Sequence, residues 1–116
     1  MKEVEMVATY DDANVLVQVM RWGTEMGLEE AQAHLFSPDF DPETEPMDSP
    51  EVRNVLYWAE TVAALVKHGV LDKALLLDVV WVDGLWSRVG HHALVARQDS
   101  NEPSLYEHFE ALVTSK

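Results

Sequence analysis

The sequence predicts an all-helical fold in a single domain, and three observations support this prediction. The length of 116 residues suits one hydrophobic core, and 47% apolar with 25% charged residues is typical of a globular protein. Apolar residues recur at intervals of three and four along most of the chain, which is the period of a buried helix face. A strand-like composition occurs only at residues 79–82, where a single strand has no partner. We therefore expect a bundle of about five helices.

The first predicted helix covers residues 11–36. It begins at Asp11 or Asp12, because either side chain can accept hydrogen bonds from the free N–H groups of a first turn. Apolar residues at helical spacing then continue to about Phe36. Gly23 and Gly27 each weaken a helix by about 1 kcal/mol relative to alanine. We expect one helix with a kink.

A loop is predicted at residues 37–50. This segment carries four prolines and five acidic residues, so neither a helix nor a central strand can continue through it. The second helix follows at residues 51–68, since Pro50 suits a first helical turn and Asp48 or Ser49 can cap it. Its wide apolar face indicates a central helix, and Gly69 supplies the left-handed residue that commonly ends one.

The last three predicted helices cover residues 72–82, 84–99 and 104–114. Asp72 is the expected cap of the first, in which residues 79–82 are ambiguous and are assigned to the helix because no second strand exists. Gly84 separates the next helix from it. Ser104, three residues before Glu107, matches the capping box of a helix start.

The charge of the chain excludes several classes of protein. There are 21 acidic and 8 basic residues, a net charge of -13, and 13 of the acidic residues lie in residues 1–58. Such a surface repels phosphate backbones and anionic lipids, so we predict no direct binding to nucleic acid or membrane. Apolar stretches are interrupted by Asp78, Asp83 and Arg88 well short of a bilayer span. We expect a cytoplasmic protein.

Metal and cofactor motifs are absent from the sequence. Without cysteine there is no disulfide, thiolate ligand or cysteine nucleophile. The acidic run from Asp39 to Glu43 lacks the glycine and glutamate of a calcium loop, and the histidines lack the local spacing of zinc or di-iron sites. We predict no metal, no cofactor and no catalytic residue, and leave open weak, nonspecific divalent binding by the acidic run and a site assembled across helices.

Glu60 is the most suggestive carboxylate, because it lies mid-helix in the most apolar part of the chain. A buried carboxylate must be paired or protonated, and Arg88 or Arg97 on the fourth helix can pair with it. We favour an ion pair that fixes the packing of two helices. The alternative is a ligand-binding site in which Trp58 and Trp86 form apolar walls beside these charges.

A longer pattern in the second half of the chain resembles a known family. It comprises the helix Tyr57-Trp58-Ala59-Glu60, the turn Gly69-Val70-Leu71-Asp72, then Trp81, Trp86, Arg97 and the ending Tyr106-x-x-Phe109-Glu110. Over roughly residues 11–113 this pattern resembles an uncharacterised bacterial family of helical domains of unknown function. The resemblance implies an all-helical fold and brings no activity, substrate or catalytic residue.

The sequence alone therefore leaves the function unknown and permits three hypotheses. The first is a non-catalytic helical module that binds a protein partner or a second copy, with one of the four tryptophans exposed at the interface. The second is a small-ligand-binding protein or enzyme built around Glu60 with Arg88 or Arg97. The third is an acidic decoy that occupies a basic nucleic-acid-binding surface.

Overall fold

The computed structural model describes residues 7–114, and within them every regular element is a helix, as predicted. The six helices are α1 Tyr10–Met26, α2 Leu28–Leu35, α3 Pro50–Lys67, α4 Lys73–Val79, α5 Val82–Ser100 and α6 Glu107–Thr114. None of these helices combines the length and the apolar character that crossing a bilayer requires.

The first predicted helix is divided in two. Thr9 caps α1 and forms a reciprocal capping box with Asp12. Gly27 then takes a left-handed conformation with φ of 84°, and its N–H bonds back to the carbonyls of Gly23 and Thr24. Since only glycine adopts this conformation without strain, the chain ends one helix and starts the next at the same residue. The kink expected in one helix is therefore a break.

Helix α3 lies at the centre of the fold and packs against α2, α5 and α6. It begins as predicted, with Ser49 capping and Pro50 in the first turn. Trp58 is only 1% exposed, and its indole Nε1 donates to the carbonyl of Val19 on α1 at 2.9 Å. One side chain of α3 thus fills the core and fixes α1 against it.

The segment between α2 and α3 is irregular but anchored. Phe40 is buried in the core. The backbone carbonyl of Glu45 accepts a hydrogen bond at 2.9 Å from the Nε2 of His92, which lies on α5. These two contacts hold this stretch, residues 36–49 and called the acidic segment below, against the helices.

The prediction of a continuous helix over residues 72–82 is wrong in its last turn. Helix α4 ends at Val79, and Val80 is extended with φ of -117° and ψ of 126°. Helix α5 starts two residues later, at Val82. Residues 80 and 81 therefore form a short non-helical junction between the two helices, and this junction turns the Trp81 side chain outward.

The last helix starts at Glu107 rather than at residue 104. Asn101 ends α5 in a left-handed conformation, and turns follow up to Tyr106, whose φ is 60°. Ser104 donates to Glu102 instead of forming the predicted capping box. The start of α6 is held by side chains from other helices.

Candidate functional site

An exposed stack of aromatic rings lies where α2, α4 and α5 meet. The Trp81 side chain is 71% exposed, although tryptophan is normally among the more buried residues. Its ring stacks on Phe36, with a centroid separation of 5.9 Å and an angle of 14° between the planes. The guanidinium carbon of Arg88 lies 5.1 Å from the centroid of the same Phe36 ring, within cation–π range.

Gly84 makes room for this stack. A Cβ atom at this position would overlap the Trp81 ring, because the ring lies flat over the first turn of α5. The ring is therefore held between Phe36 and a bare stretch of backbone. Its orientation is set by the fold, even though most of its surface faces solvent.

A groove of about 390 Å³ opens beside Trp81. The apolar part of its wall includes Met20, Leu28, Trp58, Val80 and Leu85, and its polar rim includes Thr24, Glu29 and Gln32. This volume lies in the range of pockets that accept one large side chain or a small ligand.

A second hollow, of about 320 Å³, shares Val79, Val80 and Trp81 with the groove and includes Asp78 and Asp83 in its wall. Trp81 thus lines both hollows, and both have carboxylates among their lining residues. The surroundings of this exposed ring are apolar at the floor of the groove and carry both signs of charge, with carboxylates at the two hollows and the Arg88 guanidinium at the Phe36 ring.

Glu60 pairs with His108 in the part of the chain that the structure describes, which corrects the predicted ion pair with Arg88 or Arg97. Its Oε1 accepts the backbone N–H of Phe109 at 2.9 Å, and its Oε2 lies 2.6 Å from the Nδ1 of His108. A longer contact of 3.4 Å joins Oε2 to the N–H of His108. Because the first N–H groups of a helix have no partner within it, Glu60 caps α6 from α3.

The two arginines lie in different places. The Nε of Arg97 donates to the carbonyl of Leu105 at 2.6 Å, and its Nη1 pairs with Glu110 at 2.8 Å. Arg97 therefore holds the turn before α6, close to the part of that helix that Glu60 caps. Arg88 lies at the aromatic stack instead.

The predicted site residues thus occupy three environments. Trp58 is buried between α3 and α1, whereas Trp86 packs edge-on against Phe109 at 5.1 Å beneath α6. A shallow hollow of about 300 Å³ lies beside α6 and includes His108 in its wall. Neither Glu60 nor Arg88 is among the residues that line it.

One cluster suited to metal binding is assembled across elements of the described chain. His34 at the end of α2, Glu45 in the acidic segment and Glu51 in the first turn of α3 converge, with one ligand atom from each within 4.8 Å of the others. The Nε2 of His34 lies 2.8 Å from the Oε2 of Glu45. The spacing of these residues along the sequence does not indicate the group, because its members are brought together by the path of the segment between α2 and α3.

The hydrogen bond between these two residues shifts both of their pKa values. Glu45 raises the pKa of His34 above its ordinary value, chiefly through the hydrogen bond and against the opposing effect of burial. Burial raises the pKa of Glu45, but hydrogen bonds from His34 and Ser49 outweigh it, and that pKa is lowered. The pair favours a charged imidazole beside a charged carboxylate.

Sequence reasoning missed Phe36, Gly84 and Glu45 as site residues. The exposed tryptophan expected among the four corresponds to Trp81, but no local pattern distinguishes it from the others. A glycine three residues after a tryptophan at a helix start is the one signal that could have indicated a ring lying over backbone.

Comparisons with known proteins identify the family. No curated protein and no solved structure matches the chain. A family model described as a domain of unknown function, DUF4760, matches residues 5–115, which is nearly the whole chain. This match agrees with the resemblance seen in the sequence to an uncharacterised helical family. The protein therefore belongs to the DUF4760 family of domains of unknown function.

Proposed function

We propose that this protein is a non-catalytic interaction module that binds an apolar side chain of a partner protein, flanked by lysine or arginine, in the groove beside Trp81. The observation that carries this proposal is the 71% exposure of a tryptophan whose ring is nonetheless fixed by its neighbours. Exposed aromatic surface next to an apolar groove is characteristic of binding sites, and tryptophan is enriched among the residues that dominate binding energy.

The fixed orientation of Trp81 favours binding. A side chain that is already held in one conformation loses little freedom when a partner covers it. Stacking on Phe36 and the space left by Gly84 provide this preorganisation before any partner arrives. We therefore expect the Trp81 ring to keep its position in the complex.

The charge around the groove supports a basic partner. Glu29 lies at the rim of the groove and Asp78 in the adjoining hollow, and the chain as a whole carries a net charge of -13. Complementary charges speed association and select against wrong partners. The same charge disfavours a second copy, since two such chains repel each other.

The test is selection from a displayed library of random linear peptides against the full chain. We expect enriched peptides with an aromatic or aliphatic residue between lysines or arginines. Their affinity should fall by about tenfold or more for Trp81→Ala, which corresponds to roughly 1.4 kcal/mol. Gly84→Ala should weaken binding as well, because it displaces the ring without truncating it.

Tyr10→Ala is the matched control, because Tyr10 is 92% exposed and is not among the groove residues. Enrichment of acidic peptides, or equal affinity for wild type and Trp81→Ala, would refute the proposal. If the chain instead forms a concentration-dependent dimer that buries Trp81, the partner bound at this groove is a second copy of the chain.

The two other hypotheses each keep one supporting observation. A small-ligand site near Glu60 is supported by the hollow of about 300 Å³ beside His108. An acidic decoy is supported by the exposed carboxylates between Asp39 and Asp48, and it requires that their neutralisation abolish competition with DNA for a basic protein. A cytoplasmic location and the absence of direct nucleic-acid contact stay predictions from the sequence.

A further inference from the structure

We propose that His34, Glu45 and Glu51 form a mononuclear site for a divalent transition-metal ion, with Zn²⁺ as the expected occupant. The proposal is independent of the groove beside Trp81. One imidazole nitrogen and two carboxylate oxygens converge within 4.8 Å, and all three residues are partly buried. They come from the end of α2, the acidic segment and the start of α3, so an ion here would tie three parts of the fold together.

The distances are close to those of a coordination sphere. A tetrahedral zinc ion with bonds of about 2.0 Å holds its ligand atoms roughly 3.3 Å apart. The His34 Nε2 and Glu45 Oε2 atoms are 2.8 Å apart, joined by a hydrogen bond that the ion would replace. A separation of these two atoms by about half an ångström, with Glu51 as third ligand, leaves a fourth position for water.

The Ser49 hydroxyl lies between the two carboxylates. Its Oγ lies 2.8 Å from Glu45 Oε2 and 3.3 Å from Glu51 Oε1, and the residue is 4% exposed. A hydroxyl carries one hydrogen and can donate it to only one of these oxygens at a time. The other carboxylate oxygen then receives no hydrogen from Ser49, and a cation between the carboxylates would supply the positive charge that this contact lacks.

A second histidine fixes the backbone of the central ligand. His92 is 2% exposed, and its Nε2 donates to the carbonyl of Glu45 at 2.9 Å. Its Nδ1 is buried and, among the described residues, has no hydrogen-bond partner. Ligand residues whose position is set by such outer contacts lose little freedom when the ion binds.

The donor set selects the class of ion. Imidazole suits zinc and its neighbours in the first transition row, whereas calcium and magnesium require about six or more oxygen ligands. Two carboxylates, one imidazole and a nearby hydroxyl do not make such an oxygen cage. We therefore expect Zn²⁺ and Co²⁺ to bind and Ca²⁺ and Mg²⁺ to bind far more weakly.

The experiment is titration of the chelator-treated, untagged full chain with ZnCl₂ by calorimetry, with the thermal midpoint measured in parallel. We expect one ion per chain and a midpoint that rises with zinc concentration, as linkage requires for an ion that binds the folded state. Co²⁺ should give the visible absorption of a four-coordinate site.

Variants distinguish zinc binding at this site from nonspecific zinc binding to an acidic protein. His34→Gln and Glu51→Gln should each weaken zinc binding by at least about tenfold, a loss in the range measured for metal-site substitutions. His91→Gln and His68→Gln should leave it unchanged, since both histidines are exposed and outside the cluster. Glu51→Gln keeps the contact between His34 and Glu45, so it tests the site even if His34→Gln unfolds.

Three results would overturn the proposal. The first is equal zinc affinity in wild type and Glu51→Gln. The second is a loss of zinc affinity in His91→Gln as large as the loss in His34→Gln. The third is a rise of the thermal midpoint with Ca²⁺ as large as the rise with Zn²⁺. None of these results bears on peptide binding at Trp81, so the two proposals fail separately.

Discussion

Replacing Glu60 by alanine removes the carboxylate that holds the start of α6. The side chain accepts the N–H of Phe109 at 2.9 Å and contacts the Nδ1 of His108 at 2.6 Å. Loss of a helix cap costs about 1 kcal/mol, and loss of the second hydrogen bond costs about 1 kcal/mol more. Both side chains are about one quarter exposed, so we add nothing for the attraction between their charges.

A loss of this size is easy to measure. A chain of 116 residues has an unfolding entropy of about 0.24 kcal/mol per kelvin. A loss of about 2 kcal/mol therefore lowers the thermal midpoint by roughly 8 °C. Glu60→Gln keeps one carbonyl acceptor for the Phe109 amide, so about half of that change is expected.

The assay is thermal unfolding followed by circular dichroism at pH 7, with hydrogen exchange of the α6 amides as a local readout. Glu25→Ala is the control, because it removes the same charge from an exposed helical position. It should change stability by less than about 0.5 kcal/mol. If Glu60→Ala unfolds at the wild-type temperature and its α6 amides exchange no faster, Glu60 does not hold this helix.

Three further predictions concern the core and the first helix. Gly90→Ala should lower the free energy of unfolding, measured by urea denaturation, by about 1–3 kcal/mol, because the new Cβ pushes Trp86 off its packing position. This loss is expected although alanine favours a helix more than glycine does. Trp58→Phe should cost about 2–3 kcal/mol by the same assay, through a lost hydrogen bond and an unfilled volume. Asp12→Asn should remove a pH-dependent contribution to the free energy of unfolding. The hydrogen bond from the backbone N–H of Thr9 is the main cause of the lowered pKa of Asp12, and it outweighs the opposite effect of burial. That contribution is complete above the ordinary pKa of 3.8 and is lost as the pH falls through the lowered folded value.

Each of these predictions has a contradicting outcome. A Gly90→Ala variant more stable than wild type would mean that Trp86 moves freely. An unchanged urea midpoint for Trp58→Phe would mean that the indole contact with α1 contributes nothing. If the stability difference between wild type and Asp12→Asn persists undiminished well below pH 3.8, the cause lies elsewhere than in the charge of Asp12.

Local signals predicted the parts of the fold whose causes are local. The start of α3 follows from Ser49 and Pro50, and its end from Gly69, whose φ is 75°. The break at Gly27 rather than Gly23 is a tertiary effect. A Cβ at Gly23 would lie 3.0 Å from the Nε1 of Trp58, so this glycine serves close packing within the helix.

The candidate sites depended on contacts that the sequence does not display. The start of α6 was misplaced because its cap is Glu60, 48 residues before His108. The metal cluster joins residues from two helices and a loop, and the orientation of Trp81 depends on Phe36. Periodicity predicts which face of a helix is buried, but it does not predict which distant side chain completes its ends.

The anchored acidic segment has a consequence for the speed of binding. Phe40 and Glu45 hold its backbone in place, so the exposed carboxylates of Asp39, Asp41 and Glu43 project from an anchored segment of the chain. The directed electric field of these charges would orient the proposed basic partner before contact. Added salt should therefore slow association with the protein steeply, while the rate of dissociation from the apolar groove changes little.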